Sequence, residues 1–118
     1  MKDRKLHIPI YNACLTICIC DTMQSVGEEY GIEDLSESNA KTMVKTFDDG
    51  KKGYLIAFKI ISPSNIAHEC LHFVNMLFEE RGISYSLEND EHAAYLLGYV
   101  VDKCHEFLYK KNGKPKKP

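Results

Sequence analysis

The residues of this chain best suited to chemistry are His68, Glu69 and His72, set in the run Ala67-His68-Glu69-Cys70-Leu71-His72. On an α-helix, side chains four positions apart leave the same face, so both imidazoles can close on one metal ion. Glu69 then falls beside that ion, where a carboxylate can take the proton of a metal-activated water. The setting favours a helix. From Ser64 to Arg81 there is no Pro or Gly, Gly82 stands where a helix would stop, and Ser62 or Ser64 can cap the start. Ile66, Cys70, Leu71, Phe73, Val74, Leu77 and Phe78 are apolar at helical spacing, which predicts a helix packed on a core.

A zinc site of this kind needs a third protein ligand. A second helical pattern runs from about Asn89 to about Lys111, and its Glu91 follows His72 after 18 intervening residues. That arrangement resembles the gluzincins, zinc peptidases whose third ligand is a glutamate on the helix after the motif helix. The resemblance implies His68, His72 and Glu91 as Zn²⁺ ligands and Glu69 as general base. Asp90 and His92 flank Glu91, and either could take its place after a small helix rotation. The chain also resembles small phage-encoded metallopeptidases, through Ile8-Pro9-Ile10-Tyr11 and through Asn89-Asp90-Glu91-His92-Ala93-Ala94-Tyr95-Leu96-Leu97-Gly98. It departs from the thermolysin-like branch at Tyr95, where that branch carries an aspartate that orients a ligand histidine. Asn75, Glu79 or a backbone carbonyl would have to orient the imidazoles instead. Tyr95 is a second catalytic candidate, as a donor to the tetrahedral oxyanion, and packing explains it equally well.

The resemblance implies a zinc-dependent peptidase acting on a peptide or protein substrate, with the fourth metal position open. Two alternatives stand beside it: a regulatory metallopeptidase that cuts repressors, and a non-catalytic zinc-containing module that engages a host protein. The gluzincin-like arrangement also implies a sheet edge beside the motif helix that holds extended substrate by strand addition.

The chain's 118 residues suit one domain, expected over residues 1–109, followed by a basic, solvated tail over 110–118. Residues 1–109 hold 10 Lys and Arg against 17 Asp and Glu, a net of −7, whereas the last nine residues add five lysines and no acid. An acidic body repels phosphate, so no nucleic-acid partner is expected for it. Pro9, Asn12, Thr16 and Asp21 interrupt the apolar N-terminal run, which reads as strands rather than a signal peptide, and no stretch has the length of a membrane span. Five cysteines cannot all pair within one chain, and they fit a soluble protein of a reducing cytoplasm, the host's if the chain is phage-encoded.

The elements that must position the motif follow from local patterns. Leu6, Ile8 and Ile10 alternate in a first strand that Pro9 marks as an edge, and a tight turn at Asn12 leads to a second strand over Ala13 to Cys20. That strand sets Cys14, Cys18 and Cys20 against Leu15, Ile17 and Ile19 on opposite faces. Asp21 or Thr22 caps a short helix that Gly31 ends, and residues 42–47 and 54–61 form a second hairpin. On the last helix Ala94, Leu97, Val101 and Leu108 are expected to pack, with Ala93, Ala94 and Gly98 allowing close approach to the motif helix. The expected fold is α+β: a small twisted, largely antiparallel sheet against the motif helix and the C-terminal third-ligand helix.

Overall fold

The computed structural model describes residues 1–46 and 50–110. The chain order is β1 (Lys2–Ile8), β2 (Ala13–Ile19), α1 (Met23–Tyr30), β3 (Ala40–Thr46), β4 (Lys52–Phe58), α2 (Pro63–Glu80) and α3 (Glu91–Leu108). The fold is α+β. Its sheet is mixed rather than largely antiparallel, in the order β1-β2-β4-β3. β1 pairs antiparallel with β2, and β3 with β4, but β2 and β4 run parallel, with Ile17 level with Ile56. Parallel neighbours cannot be joined by a tight turn, and the crossover here carries α1 and β3.

The two faces of the sheet are covered differently. Leu15 and Ile17 of β2 and Tyr54, Ile56 and Phe58 of β4 point to the larger core, which α2 and α3 close with Ile66, Phe73, Leu77, Leu96 and Val100. Cys18, Leu55 and Ala57 point the other way, to a smaller core with Cys20 and with Met23 and Val26 of α1. The period-two alternation of β2 thus divides as its sequence predicts. Thr22 caps α1 by accepting from the Ser25 N–H, and Gly31 ends it in the left-handed region at φ 70°.

β1 and β3 are the two edges of the sheet. Pro9 falls in the turn after β1, where its missing donor costs the ladder nothing. Ile10 does not continue the β1 face. It sits in that turn at φ 71°, 95% exposed, an unfavourable conformation for a β-branched residue. The buried face of α3 is Ala93, Leu96, Val100, Cys104 and Leu108: Leu108 packs as expected, whereas Ala93, Leu96 and Val100 stand one residue before the expected Ala94, Leu97 and Val101. Cys104 sets this rotation by facing Cys70 of α2 at an Sγ–Sγ distance of 3.6 Å. Ala94 and Gly98 are exposed, so Ala93 alone of the three small residues is in the core. The C-terminal tail, from residue 111, lies outside the described residues, as do residues 47–49 of the second hairpin.

Gly27 closes α1 against the loop that follows: a Cβ there would stand 2.6 Å from the Ile32 carbonyl oxygen. Helix propensity alone gives Gly→Ala a gain of about 1 kcal/mol. The contact reverses that sign. Gly27→Ala is expected to lower the urea midpoint, and an equal or higher midpoint would show that the loop yields freely.

Candidate functional site between α2 and β3

Ser62 caps α2 by accepting from the Asn65 N–H, and Pro63 follows at the first helical position, where its missing N–H is harmless. Four residues separate the end of β4 from the start of the helix, and Asn65 Nδ2 donates to the Ile60 carbonyl across that link at 2.9 Å. The buried stripe of α2 is Ile66, Glu69, Cys70, Phe73, Val74, Leu77 and Phe78. Glu69 is its only charged member.

Glu69 is 7% exposed. A carboxylate in that position must have a donor. Thr42 of β3 supplies it: Thr42 Oγ1 lies 2.8 Å from Glu69 Oε1 and 3.0 Å from the Glu69 carbonyl oxygen. The hydroxyl has one proton for two acceptors, so it holds the carboxylate and the helix backbone together against the strand. The second carboxylate oxygen, Oε2, stands 3.9 Å from His68 Nε2.

His68 and His72 are exposed one turn apart, with Nε2 atoms 3.1 Å from each other and rings 4.8 Å apart, edge to face. Two imidazole nitrogens on one tetrahedral zinc at ordinary bond lengths stand about 3.3 Å apart. The pair therefore fits two positions of such a site, and the same separation also suits an N–H···N hydrogen bond. These side chains line a groove of about 340 Å³ with Ser38, Ala40, Lys41 and Thr42 on one wall and Met76 on the other. Its strand wall is the sheet edge, where among the described residues β3 has one neighbour, β4.

Glu91 and Tyr95 are not brought to this groove. Cys70 faces Cys104, and the Phe78 ring stacks on His92 at 5.4 Å, so α2 and α3 run antiparallel. Glu91, at the start of α3, is level with the last turn of α2, roughly 10 to 16 Å along the axis from His72 and His68 at 1.5 Å per residue. The imidazoles also leave α2 on the side facing β3, whereas Cys70, about 200° round the helix, faces α3. Asp90 and His92 share Glu91's end of α3, so neither replaces it. Among the described residues, no three His, Cys, Asp or Glu side chains gather as a metal would require. Tyr95 is 76% exposed and lines a different recess, with Pro9, Ile10 and Tyr11 beyond β1. Asn75, considered as an imidazole partner, instead accepts from Tyr85 Oη at 2.6 Å.

The cysteines take no part in the groove. All five are free thiols, and Cys104 is pushed up from the ordinary thiol range by its hydrogen bond with Cys70 and then by burial. A thiol so held stays protonated and makes a poor metal ligand. Sequence reasoning missed Thr42, Lys41 and Met76. The Thr42 contact spans 27 residues and leaves no local signal.

No protein-family model, curated protein or solved structure matches this chain. No helix among the described residues is long and apolar enough to cross a membrane.

Removing the Thr42 hydroxyl leaves a buried carboxylate without its donor. Thr42→Val is expected to cost about 1–3 kcal/mol in urea denaturation, with Thr42→Ser close to wild type. A Thr42→Val protein as stable as wild type would mean that Glu69 does not depend on β3.

Proposed function

We propose that the groove between α2 and β3 is the centre of a zinc-dependent peptidase, with His68 and His72 as metal ligands and Glu69 as general base. The observation that carries this reading is the juxtaposition of two imidazoles 3.1 Å apart with a buried carboxylate held by a sheet-edge residue. Bound zinc would supply a Lewis acid and lower the pKa of a water. Glu69, fixed through Oε1 by Thr42, keeps Oε2 towards His68, placed to accept a proton and return it to a leaving amine. The unpaired edge of β3 offers backbone donors and acceptors along which an extended peptide can lie, beside the carboxylate. Five free thiols fit an enzyme of a reducing cytoplasm, that of a host cell if the gene is carried by a phage.

The position of Glu91 favours a second reading. Two imidazoles alone hold zinc less firmly than three protein ligands, and the same groove could serve a non-catalytic module that binds a host protein by strand addition. A repressor-cutting peptidase would share the chemistry of the first reading and differ only in substrate.

Elemental analysis and peptide cleavage together separate these readings. Full-length protein supplied with zinc is expected to hold about one ion per chain, to lose it in His68→Ala, and to retain it in Glu91→Ala. Glu69→Gln should retain the metal and abolish cleavage. Loss of zinc in Glu91→Ala would restore the third-ligand role to α3. Zinc binding without cleavage of any peptide, in wild type and variant alike, would favour the binding module.

A further inference from the structure

We propose that this groove selects extended peptides by charge, accepting a basic side chain at Glu79, about three residues to the N-terminal side of the bond that lies against Glu69. The proposal rests on the peptidase reading for the placement of that bond.

The groove does not end at the imidazoles. Met76 is a wall shared by the recess at His68 and His72 and by a second recess of about 370 Å³ lined by Val44, Glu79 and Glu80. β3 and α2 advance in the same direction along it, since Thr42 touches Glu69 and Val44 shares the recess of Glu79. A peptide added antiparallel to the β3 edge therefore has its N-terminal part over Val44 and Glu79. From His72 to Glu79 is seven residues of helix, roughly 10 Å, which an extended strand covers in about three residues. Val44 and Met76, between the two ends, suit an apolar side chain in the intervening positions.

The charges at the two ends are opposite. Lys41 stands at the imidazole end, with Nζ 3.3 Å from Ser36 Oγ. At the other end Glu80 is paired with Lys52 at 3.0 Å, whereas Glu79 is exposed and has no side-chain partner among the described residues. Both glutamates lie in the last turn of α2, which has no basic residue. The helix dipole disfavours carboxylates there, so their placement works against the helix itself. A carboxylate kept where it costs the helix stability, at the end of a groove beside Val44 and Met76, suits recognition of a cation.

The test uses the full chain as Glu69→Gln with zinc supplied, and a labelled ten-residue peptide with an apolar centre and Lys three residues before the central bond. A matched peptide carries Glu at that position, and binding is read by fluorescence anisotropy at low salt. The Lys peptide is expected to bind about tenfold more tightly, and Glu79→Lys, a change at an exposed position, should abolish or reverse the preference. Equal affinities, no binding of either peptide, or a preference that survives Glu79→Lys would overturn the proposal. Incubating both peptides with the wild-type chain separates the two ideas. Charge-selective binding without cleavage retains the selection and removes the peptidase, and cleavage indifferent to Lys or Glu does the reverse.

Discussion

The structure turns on a carboxylate inside an apolar stripe. Glu69 occupies a position of α2 on the same buried face as Ile66, Phe73 and Leu77, beside the buried Cys70. Burial of a charge without a partner costs several kcal/mol, and a domain of this size has little stability to spare. The cost is met from outside the helix, by a hydroxyl on a strand 27 residues earlier in the chain. Because Thr42 also reaches the Glu69 carbonyl, helix and strand are fixed in register as well as in contact. Had the position been apolar, α2 would bury a uniform face and its rotation against β3 would be less specified.

That constraint explains why β3 is where it is. Thr42 presents its hydroxyl to the flank of α2, and a strand of the chain itself seated permanently beyond β3 would close the groove in front of the two imidazoles. Among the described residues β3 is an edge, paired with β4 alone. Edge strands invite unwanted pairing, and lysines are a usual defence. β3 carries Lys41 and Lys45, and both ammonium groups are engaged within the fold, Lys41 with Ser36 Oγ at 3.3 Å and Lys45 with the Tyr30 carbonyl.

Much of this was legible in the sequence, for identifiable reasons. The ends of α2 followed from a cap at Ser62 or Ser64, of which the structure uses Ser62, and from Gly82, and the two faces of β2 from strict alternation, because these signals are local. The parallel pairing of β2 with β4 was not legible, since nothing within a strand records the direction of its neighbour. Ile10 was misplaced because its apolar character extended the β1 alternation, while the backbone had already turned at Pro9. The stripe of α3 was misread by one residue because apolar residues stand at both Leu96 and Leu97, and at both Val100 and Val101. Only the partner decides such a tie, and Cys70 decides it for Cys104.

The placement of Glu91 has a simpler physical origin. Between Glu80 and Glu91 lie ten residues, and two 18-residue helices joined by so short a link form an antiparallel hairpin. In such a hairpin the first turn of the second helix is level with the last turn of the first. His68 and His72 sit in the first half of α2, so a ligand at the start of α3 begins at the wrong end. Residues of α3 that do reach the level of His68, near Cys104, face the side of α2 that carries Cys70. Helix packing thus excludes α3 from the groove at both ends, by distance at Glu91 and by direction at Cys104, and leaves the edge strand as the element that completes the surroundings of the imidazoles.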